Sequence, residues 1–204
     1  MIRWILLLGC LLLQTVTQAQ SFIGGISAGA SFSQVDGDKM AGYNKAGLIV
    51  GGFVNKQLGN KVSAQLEMLY IGKGSKRGAN PNKGIFDYRR ISLHYVEVPV
   101  VLQLWYEKLN LTLEGGLSYG VLISSREEDE YGETILVGPF KKNELGLITG
   151  VSYLLSDAFA VGLRFAYSIL PIASEIEIIN GRRYGGSYNN LICVKLNYLM
   201  SNKE

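Results

Sequence analysis

The 204-residue chain is 48% apolar and only 18% charged, with 25 glycines and 4 prolines, which is enough for one domain with a sizeable core. That composition excludes a disordered segment, a coiled coil and a collagen-like repeat. Its 20 basic and 17 acidic residues give a formal charge of +3, too balanced for a nucleic-acid binder.

At the start, Met1–Arg3 is a short positive stretch, Trp4–Leu13 is apolar, and Gln14–Gln18 leads to the small Ala19. This layout predicts a signal peptide over 1–19, cleaved after Ala19. The apolar run is too short to cross a bilayer as a helix, which takes about 20 residues. Leu7-Leu8-Gly9-Cys10 resembles a lipoprotein cleavage box, but Arg3 stands close in front of it and cleavage there would strand the apolar Leu11–Leu13. With Cys10 removed, Cys193 is the sole cysteine, so no intramolecular disulfide is expected despite export. A single domain, 20–204, remains, with no linker or composition break.

No later stretch has the unbroken hydrophobicity of a transmembrane helix. If the exported chain lies in a membrane, a closed sheet is the other structure that satisfies its backbone there. Period-two alternation dominates, and helical spacing is almost missing. Strands are predicted near Phe22–Ser33, Ala46–Gln57, Val62–Lys73, Ser92–Trp105, Leu109–Ile123, Lys142–Leu154, Ala158–Ile169 and Asn190–Leu199. These are longer than the ~5–6 residues of an ordinary strand and suit a tilted membrane crossing. Connections at 58–61, 106–108 and 155–157 are tight, with Gly59-Asn60 and Ser156-Asp157 as turn residues. Those at 34–45, 74–91, 124–141 and 170–189 are long and polar. Long loops on one side and short turns with both termini on the other predict an all-β fold, an eight-stranded antiparallel up-and-down transmembrane β-barrel.

Alternation alone does not say which face points outward, because a soluble lipocalin-like carrier can have the same strand number. The aromatics favour lipid. Phe22, Tyr106, Tyr153, Phe159 and Tyr198 fall at the short-turn end of the apolar faces, and Phe32, Tyr70, Tyr119 and Tyr167 fall toward the other end. Two such belts are what two bilayer interfaces select. The opposite phase carries Gln65, Glu67, Lys73, Glu97, Gln103, Glu114, Lys142, Glu144, Arg164 and Lys195 among small residues. An eight-stranded interior is narrow enough for side chains to fill, and buried charges persist when paired. Glu67, Glu97, Glu114 and Glu144 are therefore expected to meet Arg164, Lys195, Lys142 or Tyr95 in a polar plug. Pro99 cannot donate to a ladder, and a bulge is expected at it.

Chemistry-bearing signals are sparse. Ser92 and the lone His94 share a face and invite comparison with lipid deacylases, where a hydroxyl needs an imidazole base and a carboxylate orienter. Glu97 has the opposite parity, so the local orienter points away. One His and one mature Cys match no metal-ligand spacing. Gly24-Gly25-Ile26-Ser27-Ala28-Gly29 lacks the spacing and following helix of a phosphate loop, and its glycines read as small inward-facing residues. No catalytic, cofactor-binding or metal residue is assigned, and no cofactor is expected. Lys76, Arg77, Lys83, Arg89 and Arg90 make the second long loop basic, and Glu127, Glu128, Asp129, Glu130 and Glu133 make the third acidic. Beyond simple solvation, these loops are candidates to pair with each other, hold lipid headgroups or meet a partner protein.

Tyr95-Val96-Glu97-Val98-Pro99, Glu114-Gly115-Gly116-Leu117-Ser118-Tyr119-Gly120 and Gly162-Leu163-Arg164-Phe165-Ala166-Tyr167 resemble motifs of the PorT-type outer-membrane β-barrel family of Bacteroidetes. Gly24–Phe32, Gly51-Gly52-Phe53 and Leu66-Glu67-Met68-Leu69-Tyr70 fit as well. The resemblance implies an outer-membrane location and an eight-stranded barrel, and the family's founding member takes part in type IX protein secretion. The chain departs from the pattern at Ile169-Leu170-Pro171 and in running past Tyr198 to Glu204.

The sequence thus predicts a non-enzymatic integral outer-membrane barrel, exported by its signal peptide, embedded in outer-membrane lipid and contacting partners through its loops. A component of secretion or envelope assembly is the next reading, then a lipid-modifying barrel enzyme, then a soluble carrier. Envelope or secretion proteins are the expected partners, nucleic acid is not, and the sequence assigns no oligomeric state.

Overall fold

A computed structural model of the chain describes residues 22–38, 40, 42–79, 87–129, 131–135, 140–173, 178–179, 182–183 and 186–200. The strands are β1 (Phe22–Asp36), β2 (Lys45–Gln57), β3 (Val62–Arg77), β4 (Arg89–Tyr106), β5 (Leu111–Asp129), β6 (Gly132–Ile135), β7 (Asn143–Ser156), β8 (Phe159–Ser168), β9 (Ile178–Ile179), β10 (Arg182–Arg183) and β11 (Tyr188–Met200). Neighbours pair antiparallel in the order β4-β3-β2-β1-β11-β8-β7-β5, and β4 pairs with β5 to close the cylinder. Eight strands form the wall as predicted. Strand β6 folds back on the outer end of β5, while β9 and β10 pair in the last long loop.

Tight turns sit where turn chemistry places them. Leu58 and Gly59 donate backbone N–H groups to Val62 across the β2–β3 turn. Glu107–Leu109 forms one 3-10 turn ended by Asn110 at φ 52°, a left-handed position that Asn tolerates. Leu109 thus belongs to the turn, and β5 begins at Leu111.

On the other side the strands run further than predicted. Strand β1 continues to Asp36, β3 to Arg77 and β5 to Asp129, and β4 begins at Arg89. Alternation in these segments is masked by loop-like composition, yet their backbones keep a ladder, with Lys76 paired to Arg90 and Arg90 to Glu128.

The oily phase points outward. Met68, Leu113, Leu117, Leu163 and Leu196 are exposed, as are Phe22, Tyr106, Tyr153, Phe159 and Tyr198 at one end and Phe32 and Tyr119 toward the other. Inward, Glu67 is 1% exposed and Arg164 4%.

Pro99 does not make a bulge. Its pairing with Ser118 of β5 stays in register, and toward β3 the ladder skips Val98 and Pro99 between the pairs Leu66–Val100 and Leu69–Glu97. One missing N–H is absorbed as a gap. The bulge lies nearer the loops, where His94 pairs with Ser124 and Tyr95 with Leu122, leaving Ile123 as the extra residue. It switches the inward phase of β5, so that Ser118 and Glu127 are both buried.

Candidate functional site

Three layers fill the lumen. The middle layer is a charge network. Arg164 on β8 donates through Nη1 and Nη2 to the two carboxylate oxygens of Glu67 on β3, at 2.9 and 2.7 Å, and through Nε to Glu114 on β5 at 2.7 Å. Lys195 on β11 reaches the same two Glu67 oxygens at 3.2 and 3.1 Å, and Gln65 donates to one of them at 2.7 Å. Three side chains thus bond the Glu67 carboxylate, and with Glu114 the network joins five residues from four strands. Bidentate guanidinium pairing of this kind is both strong and directional.

A second node surrounds Lys73. Its ammonium pairs with Glu97, donates to Glu144 at 2.9 Å and lies 4.7 Å from the Tyr95 ring centroid. Asn189 donates to the other Glu144 oxygen at 2.8 Å. Small residues make the room. A Cβ on Gly150 would stand 2.8 Å from Glu114 Oε1, and one on Gly120 would stand 3.1 Å from Glu97 Cγ.

Of the expected partners, Arg164 and Lys195 meet the glutamates, whereas the buried Tyr95 hydroxyl bonds none of them and Tyr95 offers its ring to Lys73 instead. Lys142 is exposed and takes no part, because it precedes the first residue of β7 and the inward phase opens with Glu144. Its place is taken by Lys73, which the alternation had put inside without a stated partner.

Toward the loops the lumen turns apolar. Ile49, Leu69, Ile71, Ile91, Leu93, Tyr95, Leu191 and Cys193 pack there, capped by Val35, Met40, Phe140, Ile172 and Ala173. The expected plug is therefore half polar and half oily. Alternation misses this layer because Met68–Ile71 is apolar on both phases. Toward the short turns lies a cavity of about 270 Å³, lined by Phe53, Asn55, Gln65, Gln103, Trp105 and Asn197 among others. Asn55 donates to Gln103 at 2.8 Å and to Gln65 at 3.2 Å across it.

Ser92, His94 and Glu97 do not assemble. His94 Nδ1 shares a hydrogen bond of 2.7 Å with the Tyr70 hydroxyl on the outer face, whereas Glu97 is buried inside against Lys73. Among the described residues, no group of three or more His, Cys, Asp or Glu converges on a metal position.

The two oppositely charged loops do pair. Arg89 bonds the buried Glu127, Arg90 lies 3.6 Å from Glu128, and Arg77 bonds Asp87. Residues 1–19, Lys83 and Glu130 lie outside the described residues.

A closed eight-stranded cylinder, greasy outside between two aromatic girdles and packed with paired charge inside, is the architecture of outer-membrane β-barrels. Residues 18–174 match the family described as "Outer membrane protein beta-barrel domain", and the chain belongs to that family. Among solved structures it is similar to the attachment invasion locus protein Ail of Yersinia pestis, with 13% identity and TM-score 0.52 over 87% of this chain and 98% of that one. It is also similar to Neisserial surface protein A, at 12% identity and TM-score 0.48, over 87% and 95% of the two chains. The N-terminal barrel domain of Pseudomonas aeruginosa OprF is a third, at 8% identity and TM-score 0.42, over 89% and 98%. No curated protein matches the sequence.

Proposed function

We propose that this barrel acts as a non-enzymatic display scaffold, holding an ordered loop-side wall for a partner in the cell envelope or outside it. The observation that carries this reading is the continuation of β3, β4 and β5 beyond the loop-side aromatics, braced by Arg89–Glu127, Arg90–Glu128 and Arg77–Asp87. Such bracing gives a rigid surface, and the filled lumen beneath it gives no path for solute. Export through a cleaved 1–19 leader and kinship with the PorT-type barrels of Bacteroidetes belong to the same proposal, the first supported by the layout of Met1–Ala19 and the second by the motif resemblance.

The test combines planar-bilayer conductance with site-directed cross-linking in whole cells. The scaffold reading expects no sustained ion current and a defined cross-linked adduct from Arg126, with none from the lipid-facing Leu163. Sustained current, or release of fatty acid from phospholipid by wild type but not by Ser92→Ala, would overturn it. A secretion role adds one expectation, that the adduct contains a component of an export complex.

A further inference from the structure

Polar groups around the short-turn cavity divide into two sets. On β2, β3 and β4, Asn55, Ser63, Gln65 and Gln103 spend their hydrogen bonds on one another. Asn55 donates to Ser63 at 3.3 Å, Ser63 donates to Gln103 at 3.2 Å, and Gln65 is anchored from below by its bond to Glu67. That amide wall is fixed before any ligand arrives. The second set continues round the cylinder, where Trp105 of β4 stands beside Thr112 of β5, and Thr112 beside Ser152 of β7. All three are half-buried and line the cavity. Among the described residues, no hydrogen bond engages the Trp105 indole N–H or the Thr112 and Ser152 hydroxyls. Directly paired strand residues stand about 5 Å apart, so these groups form one unused polar ledge along the wall of the cup.

The make-up of the cup selects its occupant. None of its lining residues is acidic, and its one cation, Lys61, is exposed in the β2–β3 turn at the mouth. A charged ligand would find no counter-ion inside, and leaving it unpaired there is costly. Hydroxyls and carboxamides both donate and accept, which suits a neutral ligand bearing several hydroxyl groups. Phe53, Leu154 and Leu199, with the Trp105 ring, add apolar surface. A pyranose ring combines both demands, because its edge is polar and its carbon–hydrogen faces are apolar. A peptide backbone brings one donor and one acceptor per residue and matches the ledge less well. The volume of about 270 Å³ lies just below the ~300–1,000 Å³ of drug-sized sites, which leaves room for one or two rings. The network around Glu67 closes the floor, so entry is from the short-turn side, the periplasmic side of such barrels.

We propose that this cup binds a neutral pyranose sugar, with Trp105, Thr112 and Ser152 as its contacts and the amide wall as a rigid backing. The site lies at the opposite end of the barrel from the braced wall and stands independently of the scaffold reading.

Trp105 reports on its own pocket. The chain has two tryptophans, and Trp4→Phe leaves Trp105 as the sole indole. The full-length Trp4→Phe protein is placed in phospholipid nanodiscs, which leave both ends open to solvent. It is titrated with maltose, cellobiose and diacetylchitobiose while Trp105 emission is followed. At least one sugar should give a saturable change with a dissociation constant of about 1 mM. T112V/S152A removes two neutral hydrogen bonds and should weaken binding about tenfold. Should that double variant lose its folded gel band, Ser152→Ala alone carries the test with a loss of about threefold. Tyr153→Phe, next to Ser152 but on the exposed outer face, should bind as the parent does. A tetrasaccharide that binds as tightly as its disaccharide assigns the cup to the end of a glycan chain, and one that binds much more weakly assigns it to the free sugar. No saturable change for any of the three sugars by about 50 mM, or undiminished affinity in both hydroxyl variants, overturns the site. An equal loss in Tyr153→Phe, or saturation by triglycine in place of the sugars, overturns it as well.

Discussion

Replacing Arg164 by Met tests whether the charge network holds the barrel together. The substitution keeps most of the apolar stem volume and deletes three donor contacts, two to Glu67 and one to Glu114. Glu67 retains Lys195 and Gln65, whereas Glu114 loses the cation it pairs with. Removing one partner of a buried ion pair costs about 3–5 kcal/mol, because the other charge stays buried. The remaining Lys195 places the loss near the lower end, about 3 kcal/mol, or roughly 150-fold in the folding equilibrium. Urea titration in lipid vesicles, read by the gel shift between folded and unfolded bands, measures it. Neutralising the acids as well, in Arg164→Met with Glu67→Gln and Glu114→Gln, should recover most of the loss. A single variant that costs under about 1 kcal/mol, or a triple variant no better than the single, would refute the reasoning.

Three further perturbations address other parts of the cylinder. Leu163→Arg places a charge on the outer face between Val151 and Val194; in lipid it should cost about 2–4 kcal/mol, and no cost in the same urea assay would return the barrel to a soluble class. Gly116→Val adds a side chain where a Cβ would collide with the Val100 carbonyl, so the folded band should disappear, and undiminished folding would contradict the β4–β5 register. In the loop after β1, burial pushes the Asp38 carboxyl above its ordinary 3.8, against the hydrogen bond from the Met40 amide and the charge of Arg89. Because the folded value is the raised one, its contribution is fully present below 3.8 and is lost as pH rises through that higher value. Asp38→Asn should abolish this dependence in hydrogen exchange at the Met40 amide, and an unchanged pH profile would show that the carboxyl is not responsible.

Strand number, closure and the outward oily phase were legible because membrane strands alternate cleanly where one side meets lipid. Leu113, Leu117 and Leu163 announce themselves against Glu114, Ser118 and Arg164. Legibility failed where both phases are apolar. Leu69, Ile71 and Leu93 fill the lumen beside outward neighbours that are aromatic, glycine or imidazole, so the upper apolar plug left no periodic trace. It failed again at Lys142, because an alternation pattern has no marker for where a strand begins. The bulge was misplaced for a related reason: proline announces a missing donor, whereas the extra residue Ile123 resembles any other strand residue. Pairing of the two charged loops was readable as complementarity, but its cross-strand partners required the register of β4 against β5.

The layering of the interior bears on what the barrel does. Ion passage from the short-turn cavity to the loops would first have to part Arg164 and Lys195 from Glu67, and Lys73 from Glu97 and Glu144. Each separation leaves a charge unpaired in a narrow, poorly hydrated space, which is costly. Between Glu67 and Lys73 the ion would also meet Leu69 and Ile71, and beyond Lys73 it would meet Ile91, whose side chains offer no oxygen to replace lost water. Both features oppose conduction through the described interior. Among the described residues, the surface this chain braces most heavily is the loop-side wall of β3, β4 and β5, which is where the proposed scaffold role would be exerted.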